Sequence, residues 1–265
     1  MYWLRPSDIR KVEEAVLARK DEVTISLDLG LTLQTLKLNH GLLVTDTGDE
    51  LATPAVKADE KVCFYLQDGL FVQIRFTGQK TGQVYELVET AGRPMLKVSA
   101  TPFHKWDFIK RIEQDKPKGI VLDAGTGLGY TTIAAAKTAK QVITVEHDPH
   151  VIQVQLLNPW SILDAPNIEQ VEGDVCLYVR SCKDKEFDCV ILDGGTPRSS
   201  GHFFSQANYD EMRRILKAGG RLYHYLPDHG VQRGRDFPAE VIARVKKAGF
   251  RSIKRFKAEN YIIAQ

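Results

Sequence analysis

The spacing of apolar residues changes along the chain, and each change marks an element. Ile9, Val12 and Val16 recur at helical spacing behind Ser7, a good cap residue, so a helix is expected to run to about Arg19. From Val23 the period drops to two, and Val23-Thr24-Ile25-Ser26-Leu27 alternates as a strand does. Leu31 and Leu33 share one parity, Leu36 and Leu38 the other, which predicts a bulge near Gln34-Thr35. Further strands are expected at 41–44, 62–66, 70–76, 83–88 and 95–98, with Asp68-Gly69 as a short-hairpin signal. Residues 1–103 therefore read as a small, mostly antiparallel β-rich domain led by one helix, closed by the linker SATPF at 99–103.

Beyond the linker the pattern is different. A helix from His104 to about Asp115 carries Trp106, Ile109 and Ile112 on one stripe and stops at Pro117. Strands at 119–123, 141–146, 168–172, 187–192 and 220–226 then alternate with helices at 129–138, 149–157, 174–181, 205–216 and 238–248. Such alternation means an α/β domain, here 104–265, with a parallel sheet and helices on both faces. Two last strands, 251–256 and 261–264, are separated only by Lys257–Asn260, which permits an antiparallel hairpin and no crossover.

One stretch organises this second half. Ile120-Val121-Leu122 is an apolar run that ends at Asp123, followed by Gly125-Thr126-Gly127-Leu128-Gly129 and an alanine-rich helix from Tyr130. Strand, glycine turn and helix N-terminus in that order make a ligand cradle. The dinucleotide pattern G-x-G-x-x-G would place its third glycine at position 130, where the chain has Tyr130. A carboxylate at Asp123 would repel a pyrophosphate and suits a ligand with a cationic amino acid part, such as S-adenosylmethionine. Glu146, ending the next strand, supplies an acceptor for ribose hydroxyls.

Composition adds limits. With 265 residues, 43% hydrophobic and 26% charged, the chain is expected to be soluble and globular. No window approaches the roughly 18 apolar residues of a membrane span, and MYWLRPSDIR is neither a signal nor a transit peptide. Cys63, Cys176, Cys182 and Cys189 form no C-x-x-C pair and read as reduced thiols of a cytoplasmic protein. A net charge of +2 does not indicate a nucleic-acid partner.

LDAGTGLG, VEHD, EGDV and FDCVILDGG, in that order, resemble the motif series of class I S-adenosylmethionine-dependent methyltransferases over residues 105–265. The resemblance implies a Rossmann-like seven-stranded sheet with a terminal antiparallel hairpin. It also implies roles. Asp123 would meet the cofactor's ammonium group, and backbone at Ala124, Gly125, Thr126 and Gly127 would hold its carboxylate or ribose. Glu146, beside His147, would accept the ribose hydroxyls. Asp174 would accept from the adenine amino group, with Val175 donating a backbone N–H, although a strand-end Asp such as Asp174 also serves as a helix cap. Asp193 would stand next to the departing methyl group and is the catalytic candidate, and it is also a candidate cofactor contact.

A narrower resemblance is to a mostly archaeal family of predicted methyltransferases related to spermidine synthases. It is carried by SLDLGLT at 26–32, LLNPWS at 156–161 and HFFSQANYDEMRRILKAGGRLYHY at 202–225. That family usually has Asp-Pro-Pro-Arg after the fourth strand. Here the stretch is Asp193-Gly194-Gly195-Thr196, so N-methylation does not carry over. Asn158-Pro159-Trp160 falls after a helix and reads as a stop and packing element. His104 and His202 are candidate bases, outweighed in each case by a histidine bonded to backbone. His147-x-x-His150 lacks further ligands nearby, so no metal is expected. The cluster Arg244, Lys246, Lys247, Arg251, Lys254, Arg255 and Lys257 reads as a solvated face before an RNA contact.

Three functions are therefore weighed. Methyl transfer to an unidentified acceptor leads. Aminopropyl transfer of the spermidine synthase type is suggested by Phe204-Ser205-x-x-x-Tyr209, but Thr196 stands where the second acidic residue of that class belongs. A non-catalytic cofactor- or RNA-binding protein is the third. The N-terminal domain is expected to choose the acceptor or to mediate dimerisation.

Overall fold

The computed structural model describes residues 1–79, 81–99, 101–103, 105–195, 201–227 and 236–265. They fall into two compact units, Met1–His104 with His150–Ser161, and Lys105–Pro149 with Ile162–Gln265.

The first unit contains β1 (Trp3–Leu4), α1 (Pro6–Leu17), β2 (Glu22–Ile25), β3 (Gln34–Asn39), β4 (Leu42–Val44), β5 (Glu50–Leu51), β6 (Phe64–Gln67), β7 (Leu70–Gln73), β8 (Arg75–Thr77), β9 (Val84–Val88), β10 (Met95–Val98) and β11 (Thr101–Pro102). They build three antiparallel sheets in the orders β1-β6-β7, β2-β3-β4-β5 and β11-β10-β9-β8. Leu4, Ile9, Val12, Leu36, Leu43 and Phe64 lie in its core.

Several expectations are corrected in this unit. The α1 helix starts at Pro6, which has no N–H to leave unpaired, and the Ser7 N–H donates to Glu89 Oε2 at 2.9 Å instead of Ser7 acting as the cap. Val16 is exposed, and Ala15 completes the buried stripe with Ile9 and Val12. No bulge reconciles the leucines, because Leu31 and Leu33 precede β3 and are exposed. They follow a turn in which Asp28 accepts from the Thr32 hydroxyl at 2.6 Å and Ser26 Oγ accepts from the Gly30 N–H at 2.6 Å. The predicted strand 70–76 is two strands parted at buried Ile74, which donates to the Cys63 carbonyl and accepts from the Leu87 N–H. The Asp68-Gly69 turn, with φ of 49° and 80°, closes the β6–β7 hairpin.

Residues His150–Ser161 belong to this unit, and two tryptophans tie them in. Trp3 Nε1 donates to the Leu157 carbonyl at 2.7 Å, and Trp160 Nε1 to the Leu29 carbonyl at 3.1 Å. LLNPWS and SLDLGLT thus meet through Trp160, in the packing role expected of Asn158-Pro159-Trp160. His150 stacks on Tyr85 with ring centroids 5.0 Å apart.

The second unit has a mixed α/β fold. In chain order come α2 (Trp106–Asp115), β12 (Ile120–Ala124), α3 (Tyr130–Ala136), β13 (Gln141–Glu146), then α4 (Pro149–Leu156), which past Pro149 belongs to the first unit, and β14 (Ile168–Glu172), α5 (Val175–Ser181), β15 (Phe187–Leu192), α6 (Gln206–Ile215), β16 (Leu216–Tyr225), α7 (Phe237–Lys247), β17 (Ile253–Phe256) and β18 (Tyr261–Ala264). Its seven-stranded sheet has the order β14-β13-β12-β15-β16-β18-β17. The first five neighbours pair in parallel, and β18 runs antiparallel to both β16 and β17. The strand order reverses between β12 and β15, so a crevice is expected at their carboxyl ends.

Continuous apolar runs explain the buried central strands: Leu122 and Ala124 of β12 and Val190 and Leu192 of β15 share one core with Leu222 of β16 and Met212 of α6. Two details differ from expectation. Trp106 is partly exposed and Phe108 takes its place on the buried stripe of α2. Strand β16 begins at Leu216, earlier than expected, and its pairing with β15 shifts between Phe187 and Cys189. All four cysteines are free thiols, Cys63 and Cys189 buried.

Candidate functional site

The glycine turn leaves β12 and bends over the end of β13. The N–H groups of Gly125 and Thr126 both donate to the Val145 carbonyl, at 3.0 and 3.2 Å. Gly125 needs its φ of +96° and its lack of a Cβ, which would lie 2.7 Å from the Asp193 carbonyl oxygen. Gly129 is equally tight, since a Cβ there would lie 2.7 Å from a Leu163 methyl carbon. Gly125 serves packing across the ends of β12 and β15, and Gly129 packs the start of α3 against Leu163 in the connection before β14.

Glu146 holds the turn from the neighbouring strand. Its Oε2 accepts the Gly127 N–H at 3.0 Å, and its Oε1 accepts those of His147 and Asp148 at 2.9 and 3.0 Å. Each carboxylate oxygen has two lone pairs, so Oε2 retains acceptor capacity for a hydroxyl. The His147 side chain is exposed, with Nδ1 3.6 Å from Glu146 Oε1.

Asp123 is wholly buried. Its Oδ2 accepts from the hydroxyls of Thr131 and Thr132, at 2.8 and 2.6 Å. Its Oδ1 is buried and has no hydrogen-bond partner among the described residues. Burial pushes the carboxyl up to about 7; the two threonine hydroxyls oppose this, and the charge of Glu146 adds to it. Thr132 also reaches Thr144 at 3.0 Å, and Thr144 meets Thr126 at 2.6 Å. A chain of buried hydroxyls thus runs beneath the turn. Sequence reasoning missed Thr131, Thr132 and Thr144, whose signal is a hydroxyl at positions where the pattern calls for apolar side chains.

The remaining predicted residues lie along the same edge. Asp174 follows β14 and caps α5, its Oδ1 accepting the Leu177 N–H at 3.1 Å. Val175 opens that helix and packs on the unit's core. Asp193 follows β15, and its N–H donates to the Ala124 carbonyl at 3.2 Å. Burial pushes the Asp193 carboxyl up to about 7, Asp123 adds to the rise, and Lys105 opposes it. The sheet therefore brings Asp123, Ala124, Gly125, Thr126, Gly127, Glu146, Asp174 and Asp193 to the carboxyl ends of four adjacent parallel strands.

Other candidates do not join them. His104 and Thr196 lie outside the described residues. His202 is exposed in a short turn, Gly201–Phe204. Arg244 reaches Glu240 at 3.5 Å and the Phe204 carbonyl at 3.4 Å, while Lys246, Lys247, Arg251, Lys254 and Lys257 are exposed. Among the described residues, no helix is long and apolar enough to cross a membrane.

The donor set fits an adenosyl sulfonium ligand. Carboxylates at successive strand ends suit hydroxyls and an ammonium group, an unpartnered buried oxygen belongs to the residue expected to face that charge, and a phosphate would be repelled.

Comparison with known proteins bears on the family and the fold. Residues 122–224 match the family described as Methyltransferase domain. An uncharacterized protein of Methanocaldococcus jannaschii, MJ1233, is 30% identical over 269 residues, spanning 95% of this chain and 92% of that protein. The fold is similar to spermidine synthase from Thermotoga maritima, with TM-score 0.56 and 21% identity over 74% of each chain. A spermidine synthase in complex with the transition state analogue AdoDATO gives TM-score 0.58 and 21% identity over 74% of this chain and 75% of that one. Alike over nearly its whole length, the chain belongs to the family of the Methanocaldococcus protein, and it carries a methyltransferase domain.

Proposed function

We propose that the second unit binds S-adenosylmethionine and transfers its methyl group to an acceptor that the chain's residues do not name. The observation that carries this reading is the row of acidic residues at one sheet edge, with the unpartnered Asp123 Oδ1 at its centre. Glu146 is assigned to the ribose hydroxyls, Asp174 and the Val175 N–H to the adenine, and Asp123 to the ammonium group. Backbone at Ala124 to Gly127 and the adjacent His147 are assigned to the same ligand. When bound, the cofactor supplies a methyl group already activated by its sulfonium charge. The protein's main contribution is alignment. Asp193 adds a proton acceptor: with its carboxyl near 7, the ionised form takes a proton from an attacking nitrogen or oxygen at neutral pH.

Aminopropyl transfer is the second reading, favoured by the shared fold of the spermidine synthases. Asp123 does not decide between them, because a decarboxylated cofactor keeps its cationic amine. Comparing the binding of S-adenosylmethionine with that of its decarboxylated form separates the two: tighter binding of the decarboxylated form contradicts methyl transfer. Labelled S-adenosylmethionine with fractionated protein, RNA and small-molecule pools then identifies the acceptor. Residues 1–103 are assigned to acceptor choice or to pairing of two copies.

A further inference from the structure

Tyr209 of α6 and His224 of β16 are both fully buried. The Tyr209 hydroxyl lies 2.8 Å from His224 Nε2, and His224 Nδ1 lies 3.3 Å from the Leu192 carbonyl oxygen. A carbonyl oxygen only accepts, so Nδ1 carries the hydrogen. Burial pushes the imidazole down to about 4, which leaves the ring neutral at pH 7. Nε2 is then a lone pair and accepts the Tyr209 proton. Donation therefore runs one way, from Tyr209 to His224 to Leu192. The Phe204 ring stacks on His224 at 5.6 Å and 27°, and Phe203 tilts against it at 6.0 Å, so the imidazole is packed on its faces.

Leu192 ends β15, and its carbonyl belongs to the peptide that leads into Asp193. The N–H of that same peptide donates to the Ala124 carbonyl at 3.2 Å. One peptide is thus gripped twice, its oxygen from β16 and its nitrogen from β12. An apolar side chain would fill position 224 without two polar atoms to satisfy, so packing alone does not call for histidine there.

We propose that His224 and Tyr209 are positioning residues, which orient the Asp193 carboxyl at the sheet edge by fixing the Leu192–Asp193 peptide. The proposal rests on the reading of Asp193 as the carboxyl beside the transferred group, and its test is chosen to stand apart from that reading. Long-range proton–nitrogen spectra of the wild type should show the Nδ1–H tautomer. Carbon-13 titration of Asp193 follows its carboxyl without any cofactor; Asp123 and Lys105, the charges that act on it, are unchanged in every variant.

In Tyr209→Phe and His224→Phe the Asp193 midpoint should move by about half a unit or more. The transfer rate should fall about tenfold while the cofactor Kd stays within about twofold. His224→Asn, which keeps a nitrogen near the place of Nδ1 but loses the acceptor for Tyr209, should restore part of both. An Nε2–H tautomer, an unmoved Asp193 midpoint in folded Tyr209→Phe, or His224→Asn no better than His224→Phe overturns the proposal. If His224→Phe does not fold, Tyr209→Phe and the wild-type spectrum decide it. Wild type that binds no S-adenosylmethionine would end the functional reading, and the spectrum and the titration would still judge the positioning claim.

Discussion

Asp193 lies two positions beyond Ile191, the cross-strand partner of Asp123, so the two acids end neighbouring parallel strands with the same parity. Both carboxyls are raised to about 7, each chiefly by burial, and the charge on Asp123 adds to the rise at Asp193. Asp123 is wholly buried, whereas the Asp193 residue keeps partial exposure at the sheet edge.

The first prediction concerns rate. The ionised form of Asp193 accepts the proton, so kcat/KM should rise with pH through an apparent value near 7 and then level off. Asp193→Asn should remove that limb and lower kcat by about a hundredfold. A pH–rate profile of the wild type, flat from roughly pH 5 to 9, would contradict the assignment.

The second concerns stability. The folded Asp123 carboxyl, at about 7, lies above the unfolded value of about 3.9. Its proton-linked stability is therefore full below about pH 4 and is lost as pH rises through about 7. The loss has an upper limit of about 4 kcal/mol. Asp123→Asn stays neutral, so its urea midpoint should change less than that of the wild type between pH 5 and pH 8. Equal changes in both proteins would show that Asp123 does not titrate in this window.

The third concerns the buried hydroxyls. Thr132→Val keeps the shape of the side chain and removes one donor to Asp123, leaving a buried acceptor short of a partner. A loss of about 1–3 kcal/mol is expected by denaturant unfolding. The Asp123 carboxyl should also rise further, because a bond to its charged form is gone. An unchanged midpoint would mean that the threonine network does not stabilise the fold.

The fourth uses two glycines. Gly125→Ala places a Cβ 2.7 Å from the Asp193 carbonyl oxygen at a φ of +96°. It should lower the melting temperature and abolish cofactor binding by pushing β12 and β15 apart at their ends. Gly92→Ala meets no atom within 4 Å and has no positive φ, so it should be silent. Differential scanning calorimetry with a cofactor titration checks both.

Much of the second unit was legible because its central strands β12 and β15 are short apolar runs and glycine, proline or acidic residues mark the boundaries of most others. Strands at Gln141–Glu146, Ile168–Glu172, Phe187–Leu192 and Tyr261–Ala264 lie where the pattern placed them. The glycine turn and the strand-end acids were legible for the same reason, since a boundary residue is visible in one dimension. What escaped depends on distant partners. Ile74 parts two strands because Cys63 and Leu87 bond its backbone, and Trp160 finds its acceptor on Leu29, 131 residues away. The depth of Asp123 also escaped: a strand-end carboxylate reads as open to ligand, and only the fold shows Thr131 and Thr132 closing over one of its oxygens. His224 in LYHY looked like one more member of a strand until Tyr209 and Leu192 were seen on its two nitrogens.

Calorimetric titration of the purified protein with S-adenosylmethionine tests the central claim most directly. The account predicts one site per chain, bound also by S-adenosylhomocysteine and weakened about tenfold or more in Glu146→Gln, which has an amide N–H₂ in place of one acceptor oxygen. Absence of binding, or preference for a dinucleotide carrying a pyrophosphate, would contradict it.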